Sequence, residues 1–242
     1  VEAWSGGGAE GLRVGLVIGK FQQAGGGTER YVHGLAAYLL SRGADVHLLS
    51  TRCDSPLAES LTFHAVALPP GPPLVKTAAF ARRVPPLLAT LPLDVVCGVE
   101  RLCGQHVYLA TGGSHADYLA ARRQAAGPLW RLHSWARPLN RLILALEGRM
   151  FADPNLRRVR VMSRRGAAEL TRRYGLAEGR LSVIPHGVDC ARFDLRRREA
   201  ARSAVRSRHG LGGSEPVAVL VGSNFERKGL GWNLSLQVLD GV

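Results

Sequence analysis

Two segments of the 242-residue chain combine residue types that suit a polyanionic ligand. The first is Gly25-Gly26-Gly27-Thr28, lying between an apolar run, Arg13–Ile18, and a stretch with helical spacing. Glycines let a backbone approach a phosphate or a sugar, and a helix N-terminus supplies oriented N–H donors. The spacing is not that of a dinucleotide fingerprint, and no acidic residue follows Val46–Leu49 at the ribose position. A triple glycine also reads simply as a tight turn. The second segment is Val221-Gly222-Ser223-Asn224-Phe225-Glu226-Arg227-Lys228-Gly229. Here a buried-type strand runs into a loop with adjacent cations. Arg227 offers planar bidentate contacts and Lys228 a point charge, a pairing that suits a diphosphate. A P-loop would need GxxxxGK[ST], which is absent, and a solvated basic turn fits the same residues.

The elements that must position these loops alternate between short apolar runs and longer helical patterns, which predicts a parallel sheet wrapped by helices. Strands are expected at Arg13–Ile18, Val46–Leu49, Asp94–Val99, His106–Ala110, Val159–Met162 and Leu181–Ile184. Thr28 is expected to cap a helix carrying Tyr31, Val32, Leu35, Leu39 and Leu40, with Gly43 as its stop. A helix over 78–88 meets Pro85-Pro86, which should end or kink it. Leu139 to Phe151 reads as an amphipathic helix, and Ser163 as the cap of a helix ending near Tyr174-Gly175. Residues 1–12 read as a flexible leader, 13–185 as one Rossmann-like domain, and 186–242 as a linker and the start of a second. In that last part an Arg-rich helical connector over 191–209 precedes a fresh strand, Val217–Val221. Both ends read as cut, with the second domain only begun.

Lysine and arginine number 32 against 19 acidic residues, a formal charge of +13. Only Lys20, Lys76 and Lys228 are lysines. Such a field favours anionic partners: nucleic acid, acidic headgroups or phosphorylated substrates. Aromatic content is only 6%, and no RNP, KH or zinc-finger pattern appears, which argues against nucleic acid. No apolar run approaches the ~20 residues that span a bilayer. Cys53, Cys97, Cys103 and Cys190 form no CxxC pair and read as thiols in a reducing compartment.

Four motifs in order resemble glycosyltransferase family 4, the large retaining group with the two-domain GT-B fold. They are Gly26-Gly27-Thr28-Glu29-Arg30, then Val183-Ile184-Pro185-His186-Gly187-Val188-Asp189, then Phe193, then Val221-Gly222-Ser223 with Arg227-Lys228-Gly229. Tyr108–His115 and Leu139–Glu147 narrow the resemblance to the branch that glucosylates the lipopolysaccharide core from UDP-glucose. The resemblance implies an α/β fold of GT-B type, with a doubly wound N-terminal domain for the acceptor and a second domain for the donor. It places Gly26, Gly27, Arg227 and Lys228 against the donor diphosphate, and Arg30, Gly112 and Gly113 on the acceptor side. Gly112 stands where that branch commonly has an acidic residue. His115 is retained and is the candidate catalytic residue, orienting an acceptor hydroxyl; a structural histidine fits the same position. The resemblance also implies the family's usual metal independence, which fits two cations taking the place of a divalent ion at the departing UDP; no DxD-like motif is present in the sequence, and no cofactor is expected. The family's downstream Glu-x7-Glu segment is not in the chain, which by itself is expected to transfer no sugar. The partners implied are a nucleotide-sugar donor, a phosphorylated glycolipid acceptor and the anionic inner face of a bacterial inner membrane, placing the protein in the cytoplasm as a peripheral protein. The alternative is a basic nucleic-acid-binding or non-catalytic Rossmann-like binding protein.

Overall fold

The computed structural model describes residues 8–23, 25–125, 137–191 and 193–219. The chain forms two compact units, Val1–Gly187 and Val188–Val242. In the first, β1 (Arg13–Val17) leads through a short β2 (Phe21–Gln22) into α1 (Gly27–Ser41) and β3 (Asp45–Ser50). A short β4 (Cys53–Asp54), β5 (Thr62–Ala65), α2 (Pro73–Thr90), β6 (Val95–Gly98) and β7 (Val107–Ala110) follow. The unit continues with α3 (His115–Ala125), α4 (Pro138–Ala152), β8 (Arg158–Val161), α5 (Arg164–Tyr174) and β9 (Leu181–Val183). Seven strands make one sheet in the order β5-β3-β1-β6-β7-β8-β9, and β2 pairs with β4 separately. Every pairing in the large sheet is parallel; Val14 sits opposite Val46 on one side and Val95 on the other.

Side chains alternate across a strand, so successive residues of β1 and its C-terminal extension choose different helices. Val14, Leu16 and Ile18 pack with Val46 and Leu48 against Val32 and Ala36 of α1. Val17, with Leu49 and Val96, packs instead against Phe80, Val84 and Leu88 of α2. The sheet is therefore wound on both faces, which is why its central strands read as continuous apolar runs. Leu16, Leu48 and Leu49 are fully buried, each contributing about 2 kcal/mol of hydrophobic stabilisation. A third cluster joins Tyr108, Ala110, Val159 and Val161 to Met150 and Phe151 of α4 and Leu170 of α5.

Several local expectations change. Helix α2 continues through Pro85 and Pro86 to Thr90, because Phe80, Val84 and Leu88 keep one buried stripe across the prolines. Thr28 lies inside α1 rather than capping it: the N-cap is Gly26, with no side-chain cap bond. Residues 9–12, expected as the end of a flexible leader, form a turn; Gly11 N–H donates to Gly43 O and Leu12 N–H to Ala9 O. Ser163 does cap α5, accepting from Gly166 N–H, and Gly175 closes it in the left-handed conformation. Helix α3 has no counterpart in the sequence reading. Only Leu119 of its residues 115–122 is buried, so its apolar stripe is faint.

In the second unit, α6 (Arg198–Arg208) occupies the Arg-rich connector. Part of that charge is structural: Arg206 is buried, and its guanidinium donates to Gly212 O and Glu215 O, while Arg202 donates to Gly213 O. Residues 217–219 carry no strand pairing, and the rest of the expected strand Val217–Val221 lies outside the described residues. Among the described residues, no helix is long and apolar enough to cross a membrane.

Candidate active site

The loops that follow the parallel strands gather at the C-terminal edge of the sheet, where open α/β folds bind ligands. The Gly25–Thr28 loop lies there, between the end of β1 and the start of α1. Gly25 has a steric reason to be glycine, since a Cβ would come within 2.6 Å of the Glu29 Cβ. Gly26 and Gly27 do not adopt positive φ. A Cβ on Gly27 would meet nothing within 4 Å, whereas one on Gly26 would come within 3.1 Å of Glu29 Oε2, so the first turn of α1 is open on its Gly27 side. That turn has no side-chain cap, and its one carboxylate is Glu29. Arg30 is exposed beside it.

The hydroxyl of Thr28 bonds that of Thr111 at 3.1 Å, joining the first turn of α1 to the loop after β7. Gly112 and Gly113 follow, both exposed. The structure thus brings Gly26 and Gly27 beside Gly112 and Gly113, which the sequence separates widely.

His115 is not in a free loop; it is the first residue of α3. Its backbone N–H donates to both oxygens of Glu147, at 2.9 and 3.1 Å. Glu147, on α4, is only 1% exposed. It also accepts from Tyr174 Oη at 2.6 Å, Arg101 Nε at 3.0 Å, Ser114 Oγ at 3.3 Å and Ala116 N–H at 3.4 Å. Burial pushes the Glu147 carboxyl up, but the bonds from Tyr174 and the His115 backbone, with the Arg101 charge, outweigh it and hold the group below the usual carboxylate range. Ser114 Oγ in turn accepts from the N–H groups of Ala116 and Asp117. The N-terminus of α3 is therefore filled by the protein's own carboxylate and hydroxyl. The His115 ring is half-buried, 3.3 Å from Asn140 Oδ1 and packed beside Tyr118. Burial and the nearby Arg101 lower its pKa, so the neutral ring is favoured near pH 7.

Sequence reasoning missed Glu147 as a site-organising residue, along with Arg101, Ser114 and Tyr174. A signal existed: Glu147 stands four residues from both Ile143 and Phe151, an acid on the apolar stripe of its helix.

A cleft of ≈ 310 Å³ opens beside these loops, at the ends of β1, β3 and β6. Gly19, Lys20, Thr51, Glu100 and Arg101 come from the strand ends, and α2 and α4 form its walls. Glu100 is partly buried and receives the Gly19 N–H at 3.0 Å. Burial raises its pKa, and that single bond does not offset the effect. Arg227 and Lys228, the expected diphosphate pair, lie outside the described residues.

The fold of the chain has a known parallel. The chain's fold is similar to that in the crystal structure of WaaG, a glycosyltransferase involved in lipopolysaccharide biosynthesis, with a TM-score of 0.74 and 22% identity. The alignment covers 90% of this chain and 57% of that one, so the chain spans little more than half the length of this relative. A glycosyltransferase from Rickettsia africae ESF-5 aligns over 85% of this chain and 51% of its own, at 16% identity and a TM-score of 0.45. Among curated protein sequences none matches the chain significantly. The sequence profile of Glycosyltransferase Family 4 matches residues 25–192, from the glycine loop past the His186 motif and over more than half of the chain. The chain belongs to Glycosyltransferase Family 4.

Proposed function

We propose that this chain is the acceptor-side part of a retaining hexosyltransferase that takes a nucleotide-sugar donor, UDP-glucose, and extends a lipopolysaccharide-core or similar phosphorylated glycolipid. The observation that carries the reading is the uncapped, glycine-lined N-terminus of α1, facing open space at the C-terminal edge of a parallel sheet in a family-4 glycosyltransferase. Departure of UDP builds negative charge on the β-phosphate as the sugar becomes oxocarbenium-like. Backbone N–H groups of α1 at Gly27 and Thr28 are suited to stabilise that charge, and Arg227 and Lys228 add two cations from the second domain. No metal is required by this scheme. On the acceptor side Arg30, Gly112 and Gly113 border the same edge. His115, with its neutral ring held by Asn140 and Tyr118, orients an acceptor hydroxyl rather than acting as a free base. The exposed arginines of α5 and α6 favour an anionic membrane surface, consistent with a peripheral protein at the cytoplasmic face.

The test is transfer of radiolabelled glucose by a two-domain enzyme that includes this chain. Lys228→Ala is expected to lose about a hundredfold in rate, the scale of about 3 kcal/mol of transition-state stabilisation. Arg172→Ala, on an exposed face of α5, is expected to change the rate little. Equal, mild losses for both would reduce Lys228 to a surface cation and remove the diphosphate assignment.

A further inference from the structure

We propose that the cleft between α2, α4 and the ends of β1, β3 and β6 binds an anionic saccharide, a sugar bearing a phosphate or a carboxylate, with Lys20 and Lys76 as the cations that recognise its charge. This deepens the acceptor-side reading above and rests on it for the identity of the bound sugar as an acceptor.

Four observations converge on the cleft. Of the three lysines in the sequence, two line it, brought together from the loop after β1 and the first turn of α2. Neither ammonium group makes a hydrogen bond or ion pair among the described residues, whereas the third cation, Arg101, is already held by Glu147 at 3.0 Å. Two lysine charges are thus left facing a concavity with no carboxylate within salt-bridge distance of either. The one acid lining the cleft, Glu100, has one oxygen held by Gly19 N–H, and its other oxygen makes no bond among the described residues. A free carboxyl oxygen in the same cleft as two ammonium groups is a poor host for bare phosphate but a good partner for sugar hydroxyls. Finally, Phe80, Leu102, Ile143 and Leu146 give the cleft apolar walls for the C–H faces of a pyranose. A volume of ≈ 310 Å³ lies within the range of small-ligand sites.

The experiment titrates the 242-residue chain with glucose 6-phosphate, glucuronate, glucose and inorganic phosphate, following chemical shifts or heat. The charged sugars are expected to bind about tenfold more tightly than glucose, and glucose 6-phosphate more tightly than inorganic phosphate. Lys20→Glu and Lys76→Glu should each remove about tenfold of the charged-sugar affinity while leaving glucose unchanged, the scale of a reversed charge at an exposed site. Arg82→Glu makes the same charge change on another face of α2 and should leave the preference intact. A preference confined to glucose 6-phosphate or to glucuronate supports the site and identifies the anion. Equal binding of glucose and the charged sugars would overturn the proposal. So would an equal loss in Arg82→Glu, which would mean a general field, or inorganic phosphate matching glucose 6-phosphate, which would mean an anion site only. Because the readout needs no donor and no turnover, it can fail while the transferase reading stands, and the reverse.

Discussion

Two helices begin at the same edge of the sheet, and they end their orphan N–H groups in opposite ways. At α3 the first N–H groups meet Ser114 and the buried carboxylate of Glu147, itself saturated by donors from five residues. At α1 the N-cap is a glycine without a side-chain bond, and the space ahead of Gly27 is open. Both termini carry the same partial positive charge. The difference is that one has been satisfied from within, so it stabilises the fold, whereas the other remains available to an anion from outside. A glycine-rich entry to a helix is informative only once its neighbours are known to leave it unfilled.

The sharpest way to break this comparison is Glu147→Ala. Removing one partner of a buried ion pair leaves Arg101 uncompensated and uncaps α3, so a loss of about 3 kcal/mol is expected in urea unfolding. A loss well under 1 kcal/mol would mean that the α3 terminus is held by something other than Glu147. Tyr174→Phe removes the 2.6 Å bond to Glu147, together with the hydroxyl's contact with Ser114, and is expected to cost about 1–2 kcal/mol. A neutral result there would show that Arg101 and the backbone groups suffice.

Acidity separates Glu147 from Glu100. The folded pKa of Glu147 is below its ordinary value, so its contribution is present above about pH 4.3 and is lost as pH falls through the folded value. The folded pKa of Glu100 is raised, so its contribution has the opposite sign: it favours the fold below about pH 4.3 and disappears as pH rises through the raised value. Glu147→Gln should therefore be destabilising at pH 7 and less acid-labile than the parent. Glu100→Gln should be stabilising at pH 7, by roughly 1 kcal/mol. Unfolding free energies at pH 3, 5 and 7 give the check; the same sign for both variants at pH 7 would overturn it.

The smallest expected change in stability lies at the open terminus. Gly27→Ala places a Cβ where nothing lies within 4 Å and φ is already negative, so stability should hold or rise by about 0.5 kcal/mol. The same methyl group occupies the approach to the α1 amides, so the affinity of a two-domain enzyme for UDP-glucose should fall. If the affinity were unchanged in a stably folded variant, the open terminus would be no ligand site.

Much of the scaffold was legible from local pattern. Six expected strands form near their expected residues, and the apolar runs of β1 and β3 announce burial on both faces. Ser163 and Gly175 bracket α5 through side-chain and left-handed caps that depend only on near neighbours. Local pattern failed where a distant partner decided the outcome. Thr28 looked like a cap, but its hydroxyl bonds Thr111 across the sheet edge. Pro85 and Pro86 looked like a break, but the stripe from Phe80 to Leu88 packs on the sheet and carries the helix through. His115 looked like a loop residue because α3 has little amphipathic signal; its first turn is held by an acid on another helix.

The sequence by itself determined that this chain is a parallel α/β protein of the glycosyltransferase kind, since strand alternation, helical spacing and short motifs are properties of neighbouring residues. Tertiary structure alone decided which of its polar groups are spent and which are free. Arg101, Ser114, Tyr174 and Glu147 come from four separate elements and become one saturated network only when β6, β7, α4 and α5 pack. Lys20 and Lys76 become neighbours of one cleft only when α2 crosses the end of β1. Satisfaction of a hydrogen bond or a charge depends on distances of a few ångströms in space, and the order of residues along the chain does not encode those distances locally.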